Sequence, residues 1–403
     1  MEKIYLDYAA TTPLHPEVKQ AMEPYLTEFF GNPQSLHSFG NPAKQALDDA
    51  RVKVAQLIGA KPEEIYFTAS GAESNNFVLK GIAWAYKEKG NHIITSAIEH
   101  YSVLYSVKTL SKWGYEVTTL PVDKFGIVNP DDVKKAIKKE TILISIMHAN
   151  NEVGTIEPIK ELAQIAKEHK IPFHSDGVAT AGSIPVNVGE LGIDALSLAG
   201  HAFYGPKGSA ALYLKKGTRI MSLIEGGIQE GGRRGGTEDV AAIVGLGKAC
   251  ELAQKEIPKR IEHNQRLRDR IIKELPTKIE RIYLTGHPEK RLPGHASFCI
   301  EFIEGEAMLL FLDDEGIAAA SGSACTSKAL KASHVLLALG IDHALAQGSI
   351  VFTLGINNKS SDIERLITKL PPIVERLRQM SPLYAKFMKG EKIEGGNECT
   401  PRK

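Results

Sequence analysis

Seven short apolar, β-branched runs alternate with longer amphipathic stretches in the first half of the chain, and this alternation restricts the fold more than any other feature. The runs are "EEIYFTA", "NHIITSA", "YEVTTLPV", "TILISIMH", "IPFHSD", "IDALSLA" and "SAALYL"; among the stretches are "HPEVKQAMEPYLTEFF", "PAKQALDDARVKVAQLIG", "NPDDVKKAIKKE" and "IKELAQIAKEHK". Continuous apolar runs mark strands buried on both faces, and helices between them serve as crossovers to parallel neighbours. The pattern predicts an α/β architecture with a large, mainly parallel, helix-covered sheet through about residue 250. From "IPKRIEHNQRLRDRIIKEL" onward it changes to a long charged helix, the strands "HASFCIEF" and "SIVFTLG", and the helices "GEAMLLFLDDEG" and "SDIERLITKLPPIVERLRQM". A second, smaller α+β domain is expected there, in keeping with 403 residues.

Lys plus Arg (49) nearly balance Asp plus Glu (48), so no net field draws the chain to nucleic acid or a lipid surface. No apolar run reaches the roughly 20 residues of a membrane span, and the N-terminus carries no basic segment followed by an apolar one. Cys250, Cys299, Cys325 and Cys399 lack zinc-site spacing and read as free thiols of a reducing compartment, so a cytoplasmic location is expected. The last residues, rich in Gly and charge, predict a disordered tail over 386–403.

Candidate chemistry gathers at strand ends, where open α/β sheets bind ligands. Asp176 closes "IPFHSD" and could pair with a ring-nitrogen cation; a turn-forming aspartate is the plainer reading. His100, after "NHIITSA", could stack on an aromatic ring. Asn150, Asn151 and Glu152 follow "TILISIM" and add polar groups at the same edge. "TASGAESNN" is a small-residue turn into a helix, suited to a phosphate. "EGGIQEGGRRGGTEDV" either binds an anion or crosses a subunit interface. In "ASGSACTSKAL", Cys325 lies among small polar residues, which predicts an exposed, functional thiol; Cys250, in "GKACELA", reads as structural.

Together "YLDYAATTP", "FGNPQSLHSFG", "ESNN", "HANNEVGTI", "HSD", "GHAFYGPKG", "RRGGTEDV", "GSACTS" and "ASHVLLALG" resemble the cysteine desulfurases of the NifS/IscS group, within the class V aminotransferases of the fold-type I pyridoxal phosphate (PLP) enzymes. The likeness runs in order from Tyr5 to about Tyr384. It implies the fold-type I PLP-dependent transferase fold and a homodimer. It also implies a U-type (IscU-type) iron–sulfur scaffold as partner. By the resemblance His100 stacks on the cofactor ring, Asn151 contacts it, Asp176 pairs with its nitrogen, His201 is the motif histidine, Thr237 belongs to the remnant cofactor site and Cys325 is the persulfide cysteine. It further implies a segment 1–14 packing with the small domain, a large domain over 15–258 and a small domain over 259–385 with the cysteine loop.

The departures fall in the same motifs. Ala202 stands where the family has its Schiff-base lysine, Ala199 replaces a phosphate-binding serine, Ala72 a phosphate-binding threonine, and Ala179 a glutamine that bonds the cofactor's phenolic oxygen. Ile356 replaces the arginine that clamps the substrate carboxylate, and Val351 an arginine of a neighbouring motif. Cofactor anchoring, cofactor chemistry and substrate binding are each struck. PLP is therefore expected to bind weakly or be absent, while Cys325 keeps its motif and could ligate a 2Fe–2S cluster shared with the scaffold. Two alternatives are an active PLP-dependent desulfurase, divergent and using Lys207 or engineered to be inactive, and a dimeric interaction module with no role for Cys325.

Overall fold

The computed structural model describes residues 3–322 and 332–391. All seven runs form strands of one sheet. Its order is Ile65–Thr68, Ala210–Leu214, Ala195–Ala199, Phe173–Asp176, Thr141–Ser145, His92–Ser96 and Glu116–Leu120. The last five strands in that order pair in parallel. Ala210–Leu214 runs antiparallel to both its neighbours, because the connection from Ala199 is too short for a crossover. Five strands are buried at every residue, which is why their sequences are mostly apolar or small rather than alternating, and the polar exceptions His92, His174 and Asp176 are hydrogen-bonded.

Helix Gly40–Ile58 packs along Val240–Lys278, and the contact is close because Gly247 faces Ala50: a Cβ there would lie 2.8 Å from the Ala50 Cβ. Val240–Lys278 starts at an Asp239 cap and continues through Pro258, where the sequence pattern changes. Its first half buries Ile243, Leu246, Cys250 and Ile257 in the core of the large sheet. Its second half buries Leu267, Ile271 and Leu275 in another core, under the antiparallel sheet of Ser349–Thr353, His295–Ile300 and Ile282–Leu284. The N-terminal strand Ile4–Tyr5 pairs with Ile317–Ala318 in that same region.

Three expectations need correcting. "HPEVKQAMEPYLTEFF" is not one helix but two, Pro16–Met22 and Pro24–Thr27, because Pro24 has no N–H to continue the ladder. The two-residue strands and Ile282–Leu284 were not foreseen; they are too short to leave a period. Helix Pro382–Met388 extends into the predicted tail, held by Tyr384 and Phe387 against Phe302. Among the described residues no helix is long and apolar enough to cross a membrane.

Candidate functional site

Four strand ends of the large sheet and the N-terminus of helix Gly71–Ala85 meet at one cavity of about 440 Å³. His100, Asn151, Asp176 and His201 all line it. Asp176 ends its strand with its carboxyl buried, and accepts hydrogen bonds from Asn75 Nδ2 (2.6 Å) and the Val178 N–H (3.0 Å). Asn75 Nδ2 also donates to Ser102 Oγ at 2.8 Å, and Ser102 Oγ lies 2.7 Å from His100 Nδ1. A polar chain thus joins His100 to the acid. Asn75 and Ser102 were missed from the sequence, since only folding sets these neighbours together.

His100 caps helix Tyr101–Lys112, its Nδ1 accepting from the Ser102 N–H. Burial raises the Asp176 carboxyl above its ordinary range, an effect offset in part by the Val178 N–H, His100 and Asn75. His201 lies in the turn Gly200–Ala202 after strand Ala195–Ala199; burial, and then the Lys207 charge, push its imidazole down. Asn151 turns its carbonyl to His295 Nε2 (3.1 Å). Asn150 is structural: its side chain donates to the Ile98 carbonyl and accepts from the Glu152 and Val153 N–H groups.

Ala72, Ala179 and Ala202 line the cavity and offer it only methyl groups. Ala199 is buried and outside the lining, 3.7 Å from where a Cβ on Gly71 would sit. Ile356 is outside it too; its N–H donates to Tyr204 OH at 2.8 Å. Thr237 is exposed and the fold of this chain does not bring it to the cavity. Cys325 lies outside the described residues.

No lysine and no cysteine is among the described residues of the lining. Lys207 is exposed and borders a separate depression with Lys3, Tyr5 and Lys359. The cavity can orient a ring, hold a proton at Asp176 and donate or accept hydrogen bonds, but its described residues present no primary amine or thiol. Tyr204, Arg260 and Asn264 also line it, none of which the sequence singled out. Tyr204 sits at φ +71°, rare for a non-glycine residue, and is pinned by its N–H to Thr12 Oγ1 (2.6 Å).

Residues 4–366 match the model of the aminotransferase class-V family, and the chain belongs to that family. Its architecture is that of the fold-type I enzymes, with a NifS-like structure superposing at TM-score 0.88, 35% identity, 93% of this chain and 100% of that one. The chain is 54% identical to a protein named cysteine desulfurase IscS of Dictyoglomus turgidum, over 94% of this chain and 96% of the relative. It is 52% identical to one of the same name from Methanosarcina thermophila, over 95% of each.

Proposed function

We propose that this chain is an IscS-like protein of iron–sulfur cluster assembly that does not itself carry out PLP-dependent desulfuration. In this reading it docks as a cytoplasmic homodimer on an IscU-type scaffold and lends the Cys325 thiolate to a nascent 2Fe–2S cluster. The observation that carries it is Ala202, set in the cavity wall where the family's lysine belongs, with no other lysine in the described lining.

The cavity and PLP do not fit as a covalent pair. Asp176 and His100 retain the surroundings of a ring, but among the described residues no amine lies within the wall, and the Ala72 and Ala179 side chains supply no hydroxyl or amide to the cofactor's oxygens. Each such loss costs about 1–3 kcal/mol where a partner is left unpaired.

The ends of the segment carrying Cys325 support a role for the thiol. Ser333 Oγ donates to Glu152 Oε2 at 2.5 Å, and a Cβ on Gly322 would lie 2.9 Å from the same oxygen. Gly322 and Ser333, on either side of that segment, thus both lie beside Glu152, the neighbour of Asn151. Thiolates are the usual ligands of iron–sulfur clusters and need no PLP.

The test is anaerobic reconstitution of a cluster on an IscU-type scaffold from iron and sulfide, with wild type and Cys325→Ala. Wild type is expected to raise cluster yield or lifetime, and Cys325→Ala to lose that gain; equal results reject the role of the thiol. Alanine formation from cysteine would instead favour the desulfurase reading, against which stands the position of Lys207 outside the cavity.

A further inference from the structure

Beside the strand-end cavity lies a second depression, of about 660 Å³, which shares Tyr8 and Thr12 with it but takes in none of His100, Asp176 or His201. Four cations line it, Lys3, Lys207, Lys359 and Arg365, against a single carboxylate, Asp362. That carboxylate is already engaged: its Oδ2 accepts from the Lys359 N–H at 2.9 Å, at the start of helix Ser360–Met380. Lys3 and Lys207 are exposed and form no ion pair among the described residues. In a chain whose formal net charge is only +1, this is a local concentration of positive charge rather than a share of a general excess.

The cations come from three separate parts of the chain. Lys3 precedes strand Ile4–Tyr5, Lys207 sits in the turn between strands Ala195–Ala199 and Ala210–Leu214, Lys359 caps helix Ser360–Met380 and Arg365 lies in its second turn. The walls are set by the fold itself: Asn358 Nδ2 donates to the Tyr5 carbonyl (3.0 Å), Asn358 Oδ1 accepts from the Gly355 N–H (2.9 Å), and Tyr5 OH donates to the Thr11 carbonyl (3.0 Å). Arg365 Nη2 donates to the Glu315 carbonyl, which holds its guanidinium in place.

Like charges gathered around one concavity repel one another unless an anion lies between them. Lysine meets phosphate oxygens as a point charge and arginine as a fork of donors. The volume is in the range of small-molecule sites and too large for a single halide ion. Walls built from three chain segments suit a compact ligand rather than an extended acidic peptide or nucleic acid. We propose that the depression binds a small molecule carrying a pyrophosphate group, without a covalent step, the four cations sharing its oxygens. Lys207 then serves as an anion ligand at a site of its own. The site depends neither on Cys325 nor on the strand-end cavity, and its failure leaves the cluster reading untouched.

Isothermal titration calorimetry of the full-length chain with inorganic pyrophosphate, ADP and adenosine tests it. Pyrophosphate and ADP are expected to bind and adenosine is not, and affinity should fall as salt rises from about 50 to about 200 mM, because exposed charges are screened. Equal affinities for pyrophosphate and ADP assign the site to the free anion, and a tighter ADP assigns it to a nucleoside diphosphate. Lys207→Gln, at an exposed position where folding is not endangered, should weaken pyrophosphate about fivefold, and Lys207→Gln combined with Lys359→Gln should abolish its binding. Lys112→Gln removes an exposed lysine outside the depression and should change nothing. Absence of pyrophosphate binding to wild type overturns the proposal. So does an unchanged affinity in Lys207→Gln, or a loss in Lys112→Gln equal to that in Lys207→Gln.

Discussion

Replacing Asp176 with Asn separates a cavity that holds a ring cation from one that does not. The carboxyl is buried, its two hydrogen bonds come from the neutral groups Asn75 Nδ2 and the Val178 N–H, and burial raises it above the ordinary 3.8. Without a cation against it, folding at neutral pH either buries a charge or takes up a proton. The asparagine is nearly isosteric and can keep the Val178 bond through its oxygen. Asn75 Oδ1, now unpaired, can turn to accept from the new amide. The variant is therefore expected to be more stable than wild type by about 1–3 kcal/mol near pH 7.5. That corresponds to a melting point higher by about 2–4 °C per kcal/mol.

The pH dependence follows from the raised folded value. The wild-type contribution is fully present below 3.8 and is lost as pH rises through the folded value, so the gap in favour of Asp176→Asn should be smallest below 3.8 and widen as pH rises. Differential scanning calorimetry at several pH values measures it. A destabilised Asp176→Asn, or a gap that does not change with pH, would refute the reasoning.

Two further outcomes follow from buried charges elsewhere. Glu230, 7% exposed, receives Arg51 Nη2 (2.7 Å) and Nη1 (2.8 Å) and the Phe67 N–H (2.8 Å), tying the Gly-rich loop to strand Ile65–Thr68; Glu230→Ala should cost about 3–5 kcal/mol in urea unfolding, and a cost below about 1 kcal/mol would reject the tie. Burial pushes Glu99 up to about 8, despite hydrogen bonds from Ser96 and the Met147 N–H, so its contribution is whole below 4.5 and falls by about 1.4 kcal/mol per pH unit as pH rises toward 8; Glu99→Gln should flatten that fall, and parallel stability curves for the two proteins would contradict it.

The seven strands were legible because five of them are buried at every residue and all are rich in apolar or β-branched side chains bounded by turn signals. The site residues legible in the sequence were those at strand ends: His100, Asn151, Asp176 and His201 reach one cavity because parallel strands bring their carboxyl ends to one edge. Continuation of the long helix through Pro258 was not legible, because packing on both cores outweighs the loss of one backbone hydrogen bond. Arg260 and Asn264 were equally hidden in "PKRIEHN", where charged residues read as a solvated helix face.

By itself the sequence determined the α/β order, the membership of the class V aminotransferase family, and the presence of alanine at 72, 179, 199 and 202, since those depend on residue identity along the chain. Tertiary structure alone decided that Lys207 stays out of the cavity, that Thr237 does not enter it from this chain, that Asn75 and Ser102 link His100 to Asp176, and that Arg260 and Asn264 join its lining. The reason is geometric: a motif fixes chemistry along the chain, whereas a cavity is made by side chains that meet only when sheet, loops and long helix are packed together.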